Sequence, residues 1–305
     1  MTNLPVLVTG AAGLLGNAVR TQLEEQNIPV IPIDRVSKTE TGSEVIRCDV
    51  TDIHRLHAVI MHEKLGGIVH CGAYSGPMLE RDNPNAIVRV NIDGTANILE
   101  LARLKQVPRF VFCSSTSAYG PTPNTMLTED TPMVSATVYG ASKVAGEHLV
   151  QAYNRQYGIE GVSLRISWVY GPRRTTDCMI RTMIEDSIQG KPTHFPFGAD
   201  FYRQYIYVDD AAAALVAALY SPSLTQDAYN VTGGTYKTLF EVGRIVKRIF
   251  PDSNINFEPG PDPVDDIQGR FDISAAKRDF NYMPSYDLES GIRSYATWIK
   301  NNCYN

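Results

Sequence analysis

Short apolar runs alternate with longer amphipathic segments through the first half of the chain. Helical periodicity marks the segments from Leu14 to Gln26, Asn85 to Lys105 and Val138 to Tyr157, and Val162 to Ser167 reads as a further strand. The other apolar runs are PVLVTG, PVIPID, GGIVHCGA and RFVFCSS. Strands that alternate with helices form βαβ units, and strands that are almost continuously apolar have helices on both faces. The pattern predicts an α/β fold with a doubly wound parallel sheet.

The pattern loosens beyond Gly171, where Pro and Gly interrupt the helical segments. Thr238 and Glu241 have the spacing of a capping box before an apolar run that ends at Phe250, and a last helix is expected from Leu288 to Ile299. Two further strands are expected, at Tyr205–Val208 and Ala228–Val231. We therefore predict a dinucleotide-binding domain over residues 1–171, joined by returning segments around 204–232. Residues 172–305 then form mainly a smaller, substrate-binding lobe.

Composition excludes several classes of partner. A formal net charge of −5 with scattered Lys and Arg lacks the basic surface that nucleic acid requires, and a hydrophobic content of 43% supports a substantial core. The longest aliphatic block, Ala211 to Leu219, is too short to span a bilayer. A glycine turn within the first ten residues leaves no room for a signal peptide. We expect no membrane partner and a cytoplasmic location.

The cysteines show neither even pairing nor close spacing, so we expect reduced thiols. They are Cys48, Cys71, Cys113, Cys178 and Cys303. His54 and His57 are separated by two residues in HRLH, which is more typical of a helix surface than of a metal site, because no Cys/His partner pair follows. No metal is expected.

Residues 6–16 read VLVTGAAGLLG, a strand followed by Gly10, Gly13 and Gly16. Glycine permits a tight turn and lets backbone N–H groups approach a pyrophosphate at the positive end of the next helix, which Leu14 and Leu15 begin. A glycine triplet alone is weak evidence, but a strand before it and a helix after it favour a dinucleotide site.

Asp34 ends the next strand, PVIPID, 18 positions beyond Gly16. A carboxylate there would accept hydrogen bonds from the adenosine ribose hydroxyls and repel a 2′-phosphate, which favours NAD over NADP. Arg35 follows directly and would accommodate that phosphate if Asp34 turned away.

Tyr139 and Lys143 lie at positions i and i+4 of YGASK, one turn apart on the same face of a helix. A free phenol has a pKa of about 10, and a nearby ammonium group favours the phenolate, which can exchange a proton with a substrate hydroxyl. Ser115 ends a predicted strand, at the edge where doubly wound sheets bind ligands. We predict that Ser115, Tyr139 and Lys143 form a catalytic group.

The chain resembles the extended short-chain dehydrogenase/reductase family, the NAD-dependent epimerase/dehydratase group, from about residue 4 to 300. The motifs that carry the resemblance are GAAGLLG, Asp34, the pair Asp49 and Val50, HCGA at 70–73, NIDGT at 91–95, SSTSAYG at 114–120 and YGASK. The resemblance implies a Rossmann-type fold with bound NAD.

The resemblance also implies individual roles. Ser115 would help to bind the reacting oxygen, Tyr139 would be the acid/base, and Lys143 would also contact the nicotinamide ribose. Asp49 and Val50 would lie near the adenine. The further cofactor contacts expected from the motifs are Gly72 and Ala73, and Asn91 would have a structural role. A homodimer through helices around 94–105 and 140–156 is the expected oligomer.

Departures from the family patterns bear on the substrate. Related sugar-nucleotide dehydratases carry an Asp-Glu pair directly after the Ser/Thr, because eliminating water needs an additional acid and base, and related decarboxylases keep the Glu. Here those positions are Thr116 and Ser117. Dehydration and decarboxylation are therefore disfavoured.

Nucleotide-sugar epimerases usually carry Asn before VYGPR and two arginines that bind the diphosphate. This chain has Trp168 before VYGPR, keeps Arg203 in RQYIYVDD, and reads PDPVDD where the second arginine is expected. Asp262 would repel a diphosphate, although Arg270 or Arg173 could substitute for the missing arginine. The expected substrate contacts are Ser75, Ser115, Thr116, Trp168 and Arg203.

Three functions remain open from the sequence. The first is net NAD-dependent dehydrogenation of a secondary alcohol in a sugar, sugar acid or related hydroxy compound. The second is epimerisation of a nucleotide sugar with NAD held tightly. The third is a non-catalytic dinucleotide sensor, against which the intact Ser, Tyr and Lys set argues. The missing diphosphate contacts favour the first over the second.

Overall fold

The computed structural model describes residues 4–303, except for the side chain of Cys303. The strands in chain order are β1 (Val6–Thr9), β2 (Val30–Asp34), β3 (Ile46–Arg47), β4 (Gly67–His70), β5 (Phe110–Ser115), β6 (Met126–Leu127), β7 (Gly161–Ile166), β8 (Trp168–Tyr170), β9 (Thr193–Phe195), β10 (Tyr202–Tyr207), β11 (Ala228–Val231), β12 (Thr235–Thr238), β13 (Ile255–Phe257) and β14 (Arg270–Phe271).

The α-helices are α1 (Leu14–Glu25), α2 (Ile53–Val59), α3 (Pro84–Val88), α4 (Gly94–Leu104), α5 (Val138–Tyr157), α6 (Met179–Gln189), α7 (Val208–Tyr220), α8 (Leu239–Ile249), α9 (Ser274–Phe280) and α10 (Leu288–Cys303). A π-helix at Arg89–Asp93 joins α3 to α4, and a 3₁₀ turn at Thr116–Ala118 follows β5.

Seven parallel strands form the main sheet, in the order β11-β7-β5-β4-β1-β2-β3. The strand order reverses beside β1, where Thr9 pairs with Ile33 of β2 on one side and His70 of β4 on the other. In open α/β sheets, ligands bind at the carboxyl ends of the strands next to this point. The expected doubly wound α/β fold is confirmed, and its reversal point is where the glycine loop begins.

The main sheet is buried on both faces by helices, as its apolar strands require. All residues of β1, β4, β5 and β7 are buried. The second half of the chain adds a three-stranded sheet, β12-β10-β8, and two strand pairs, β13-β9 and β14-β6. These smaller sheets place Trp168, on β8, near the carboxyl edge of the main sheet.

One returning segment differs from expectation. Ala228–Val231 joins the main sheet beside β7, but the strand expected at Tyr205–Val208 is Tyr202–Tyr207 and belongs to the three-stranded sheet. Val208 instead begins α7, because two acidic residues in the first turn and an alanine-rich run favour a helix there. The division of the chain into two domains remains a prediction.

Two expected helices also differ in detail. The segment 85–105 is interrupted by the π-helix, which turns Asn91 into the protein interior, and the last helix continues beyond Ile299 to Cys303. The capping box of α8 forms as expected. The Thr238 hydroxyl accepts the Glu241 N–H at 3.1 Å, and the Glu241 carboxylate accepts the Thr238 N–H at 2.9 Å.

Candidate active site

The glycine loop connects β1 to α1 with little free space around its backbone. Gly10 has a left-handed φ of 65°, and a Cβ there would lie 2.8 Å from the Gly72 nitrogen. A Cβ on Gly16 would lie 2.1 Å from the Gly10 carbonyl oxygen. No side chain caps the amino end of α1. Its first N–H groups, at the positive end of the helix dipole, therefore suit a negatively charged ligand such as a pyrophosphate.

Asp34 ends β2 next to this loop. Its Oδ2 accepts the Ala12 N–H at 3.1 Å, and its Oδ1 accepts the Val36 N–H at 3.4 Å. These bonds orient the carboxylate towards the glycine loop. Arg35 packs against Tyr74, with the guanidinium carbon 5.6 Å from the ring centroid. The Asp34 carboxylate thus lies where the adenosine ribose is expected. The Arg35 guanidinium lies against the Tyr74 ring.

A buried hydrogen-bond chain joins the end of β1 to the segment 70–73. Thr95 Oγ1 donates its proton to the Asn91 carbonyl. It must therefore accept the hydrogen bond from His70 Nε2–H, 3.1 Å away. His70 Nδ1 then accepts the Thr9 hydroxyl proton at 2.7 Å, and Thr9 Oγ1 accepts the Gly72 N–H at 2.9 Å. Burial, with a smaller contribution from the charge of Lys143, lowers the pKa of His70 to about 3. The imidazole is therefore neutral and holds Gly72 beside the glycine loop.

Asn91 links the segment around Tyr74 to the helix that carries Tyr139. Its Oδ1 accepts the Tyr74 N–H at 2.8 Å, while its Nδ2 donates to the Tyr74 carbonyl at 3.0 Å and to Ser142 Oγ at 2.9 Å. The π-helix makes this possible, because its wider turn directs Asn91 inward. Asn91 does not itself line the ligand cavity, in agreement with a structural role.

Tyr139, Lys143 and Ser115 meet at the carboxyl edge of the sheet. Thr137 caps α5, since its hydroxyl accepts the Gly140 N–H at 3.0 Å, and this starts the helix just before Tyr139. Lys143 Nζ donates to the Cys113 carbonyl at 2.8 Å and lies 5.7 Å from the centroid of the Tyr139 ring. Ser115 Oγ lies 3.2 Å from Ser117 Oγ. All three predicted catalytic residues are buried except for the parts that face the cavity.

A cavity of about 540 Å³ runs along this edge of the sheet. Its size is within the range of small-molecule sites. Every cofactor contact expected from the sequence lies on its wall, as do four of the five expected substrate contacts. These residues are Gly10, Gly13, Leu14, Leu15, Gly16, Asp34, Arg35, Asp49, Val50, Gly72, Ala73, Ser75, Ser115, Thr116, Tyr139, Lys143 and Trp168.

Arg203 does not line this cavity, contrary to the expectation that it contacts the substrate. Its Nη2 donates to Asp262 at 2.7 Å, and its Nε donates to Asp265 at 2.9 Å. The guanidinium also lies 4.0 Å from the centroid of the Trp168 ring, and Trp168 donates to the same Asp265 oxygen at 2.6 Å. Burial raises the pKa of Asp265, and the charge of Arg203 opposes that rise. The positive charge of Arg203 is therefore neutralised by two carboxylates of the protein itself.

Arg174 lies on the cavity wall beside Trp168 and was not singled out from the sequence. The sequence instead suggested Arg270 or Arg173 as a substitute for the missing diphosphate contact, and Arg270, on β14, is exposed and does not line this cavity. Arg173 has a left-handed φ of 67°, and its side chain lines a separate cavity between α1 and α7. The two adjacent arginines of GPRR indicated that one of them could face the main cavity. The conformation of the backbone turn decides which one does.

Four cysteine side chains are described, Cys48, Cys71, Cys113 and Cys178, and all four are free thiols. Cys48, Cys71 and Cys113 lie on the cavity wall, whereas the side chain of Cys303 lies outside the described residues. Within residues 4–303, no cluster of His, Cys, Asp and Glu has the arrangement of a metal site. The helices in this range are also too short or too polar to cross a bilayer.

The residues at the glycine loop fit a bound dinucleotide. The glycines leave the space that a Cβ would fill, the uncapped helix supplies N–H donors, and Asp34 supplies an acceptor at the end of β2. Tyr139 and Lys143 occupy the other part of the same cavity. The cavity can therefore hold a dinucleotide at one end and a small molecule at the other.

Comparison with known proteins supports this description. The family model of the NAD dependent epimerase/dehydratase family matches residues 6–232. A putative UDP-glucose 4-epimerase from Methanocaldococcus jannaschii is 30% identical, over 97% of this chain and 99% of the relative. A dTDP-glucose 4,6-dehydratase from Neisseria gonorrhoeae is 28% identical, over 97% of this chain and 96% of the relative.

A solved structure of similar fold contains the cofactor. The UDP-glucose 4-epimerase of Thermus thermophilus in complex with NAD superposes with a TM-score of 0.87 and 26% identity. The match covers 98% of this chain and 100% of that one.

Proposed function

The chain belongs to the NAD-dependent epimerase/dehydratase family and is an NAD-dependent enzyme, and we propose that it oxidises a secondary alcohol of a sugar, sugar acid or related hydroxy compound. Bound NAD would accept the hydride from the carbinol carbon. The observation that carries the proposal is that Ser115, Tyr139 and Lys143 share one cavity with the glycine loop and Asp34.

Tyr139 is the proposed general base. Its phenolate oxygen would take the proton of the substrate hydroxyl as the carbonyl forms, and would return a proton in the reverse direction. The Lys143 ammonium, fixed by the Cys113 carbonyl, lies 5.7 Å from the centroid of the Tyr139 ring and places a positive charge beside it. Ser115 would donate its proton to the reacting oxygen in place of Ser117 Oγ, to which it donates at 3.2 Å, and the Ser117 N–H, which donates to Ser115 Oγ at 3.2 Å, holds that oxygen in position. Lys143 would also contact the nicotinamide ribose.

The glycine loop would bind the pyrophosphate, and Asp34 the adenosine ribose. Asp49 and Val50 would lie near the adenine, with Gly72 and Ala73 beside the dinucleotide. Ser75, Thr116 and Trp168 are the proposed substrate contacts that remain once Arg203 is assigned to Asp262 and Asp265. A homodimer through helices around 94–105 and 140–156 is also proposed, on the family resemblance.

The ion pairs of Arg203 favour a substrate that has no diphosphate. A diphosphate would have to replace two carboxylates that already bind the guanidinium at 2.7 and 2.9 Å, and it would meet their negative charge. Thr116 and Ser117 also stand where elimination would need an acid and a base. These features favour dehydrogenation of a small hydroxy compound over reactions of a nucleotide sugar.

Epimerisation of a nucleotide sugar with tightly held NAD is the second candidate, and the relatives favour it. Two of the three similar proteins above carry UDP-glucose 4-epimerase in their names. In this reaction the oxidised sugar would be reduced again on its other face, and NAD would not be consumed.

Calorimetric titration with uridine diphosphate and thymidine diphosphate separates the two candidates. We expect weak binding, because a charge-assisted contact worth about 1.5–3 kcal/mol is lost. Tight binding that Arg203→Ala abolishes would favour the nucleotide-sugar epimerase. Since that variant leaves two buried carboxylates without their cation, Arg203→Lys and a circular-dichroism spectrum of each variant serve as controls for folding.

A further inference from the structure

Arg174 is a buried cation on the wall of the ligand cavity. It follows β8 in the turn GPRR, and only 8% of its surface is exposed. Its Nη1 donates to the Val169 carbonyl, its Nη2 donates to the Asp177 carbonyl at 2.9 Å, and its buried Nε has no hydrogen-bond partner. The guanidinium is therefore bound by neutral carbonyl groups and is not fully satisfied.

Other buried arginines of this protein have carboxylate partners. Arg165 pairs with Glu147 at 2.8 Å, and Arg203 pairs with two aspartates. No carboxylate of the described chain, residues 4–303, forms an ion pair with Arg174. A buried charge without a counter-ion is costly, which makes the site favourable for an anion that enters from the cavity.

The position of Arg174 identifies which part of a ligand it would meet. The guanidinium carbon lies 5.3 Å from the centroid of the Trp168 ring, at the end of the cavity away from the glycine loop. The other two cations on the wall are Arg35, next to Asp34, and Lys143, next to Tyr139. Among the described lining residues, Arg174 is thus the charged group beside Trp168, whereas Lys143 lies beside Tyr139 and donates to the Cys113 carbonyl.

The cavity residues near Arg174 supply hydrogen-bonding groups for a substrate. They carry hydroxyl groups and include Ser75, Thr116, Ser117, Ser167, Thr175 and Thr176. Hydroxyl groups can donate to and accept from the hydroxyls of a polyol, and a guanidinium prefers a carboxylate. The combination matches a polyhydroxy acid.

We propose that Arg174 binds the carboxylate of the substrate and thereby selects sugar acids over neutral sugars. The inference rests on the proposed dehydrogenase function and narrows its substrate class. The carbonyls of Val169 and Asp177 orient the guanidinium, and Trp168, held by Asp265, forms the surface beside it. Arg174 is a specificity-determining residue and takes no part in proton transfer.

The test compares acids with alcohols or sugars that lack the carboxylate. The pairs are gluconate with glucitol, erythronate with erythritol, and glucuronate with glucose. For the acids, we expect Arg174→Gln to raise KM by about 10- to 100-fold with a smaller change in kcat, since one charge-assisted contact is removed. For the neutral partners, kcat/KM should stay within about twofold. Arg174→Lys should restore part of the preference for the acids.

Arg173→Gln is the matched control, because it removes the same charge from the same turn but lines the other cavity. It should leave the acid preference unchanged. Equal loss of kcat/KM for acids and neutral partners in Arg174→Gln would show that Arg174 only supports the turn, and would overturn the proposal.

Binding of the same compounds is measured by calorimetry in the presence of NAD, so the assignment does not depend on turnover. If no compound is oxidised, the proposed dehydrogenase function fails, while the binding data still decide the role of Arg174. Acids that bind more tightly than their neutral partners, with the difference lost in Arg174→Gln, support the assignment. Equal binding of acids and neutral partners by the wild type, or acid binding unaffected by Arg174→Gln, overturns it.

Discussion

Tyr139 is only 6% exposed, and its side chain lies on the cavity wall. We expect Tyr139→Phe to keep NAD binding and to lower kcat by about 10²–10⁴-fold, the usual cost of losing a general acid/base. Steady-state kinetics and a cofactor titration measure both effects. Tyr153→Phe, which removes a hydroxyl from the same helix outside the cavity, is the control. Near-wild-type turnover of Tyr139→Phe would exclude the residue from the mechanism.

Asp34 determines the expected choice between NAD and NADP. Its carboxylate is held at the glycine loop by the Ala12 N–H, so it would accept ribose hydroxyls and repel a 2′-phosphate. NAD should bind at least about tenfold more tightly than NADP, and Asp34→Asn should narrow the difference, since it removes one charge worth about a factor of ten. Fluorescence titration with both cofactors measures this. Equal affinities in the wild type would mean that Arg35 or another cation outweighs the carboxylate.

His70 makes stability depend on pH. An unfolded histidine is protonated below a pH of about 6.5, whereas burial lowers the pKa of His70 in the folded protein to about 3. Between these values the unfolded state binds more protons, so acidification favours unfolding. The contribution of His70 should fall by about 1.4 kcal/mol per pH unit below 6.5.

Urea unfolding of the wild type and of His70→Gln between pH 7 and 5 tests this dependence. The wild type should lose more stability over this range than the variant, which has no imidazole to protonate. His54→Gln, at an exposed position on α2, should behave like the wild type. Identical pH slopes for wild type and His70→Gln would contradict a neutral, buried His70.

At the scale of elements, the segment after β13 determines whether the Arg203 guanidinium on β10 is available to bind a ligand. Asp262 and Asp265 lie on this segment and pair with Arg203 on β10. Asp262→Asn keeps a hydrogen-bond acceptor but removes one negative charge. We therefore expect it to increase the affinity for uridine diphosphate by about tenfold, since an ion pair of about 1.4 kcal/mol no longer competes.

Calorimetry with Asp262→Asn and with Asp252→Asn, an exposed control on the preceding turn, measures the effect. The control should bind uridine diphosphate as weakly as the wild type. An Asp262→Asn variant with unchanged affinity would show that the Arg203 ion pairs do not determine the exclusion of the diphosphate.

Local spacing predicted the elements of the cofactor end well. The strand before Gly10 and the one-turn spacing of Tyr139 and Lys143 depend on residues close in the chain, and helix and strand periods fix their relation. The ion pair between Arg203 and Asp262 joins residues 59 positions apart, and no local pattern encodes it. The choice between Arg173 and Arg174 depends on one left-handed φ in the turn after Gly171.

At the scale of the whole molecule, one cavity at the carboxyl edge of the main sheet brings the glycine loop together with Ser115, Tyr139 and Lys143. The main sheet and the NAD dependence followed from the sequence and are confirmed. The surroundings of Trp168 did not follow, because β8, β10 and the 262–266 segment meet only after the chain has folded. The ion pairs of Arg203 with Asp262 and Asp265 could therefore not be read from local spacing, and the position of Arg174 depends on the turn after β8.

The most direct measurement follows the absorbance of reduced cofactor when purified protein is mixed with NAD and a panel of free sugars, sugar acids and nucleotide sugars. Any nucleotide that copurifies is first identified, so that bound and added NAD are distinguished. We predict that reduced cofactor accumulates with an unactivated sugar acid, mole for mole with a keto or lactone product. Interconversion of two nucleotide sugars without net reduction of NAD would contradict the dehydrogenase and establish an epimerase.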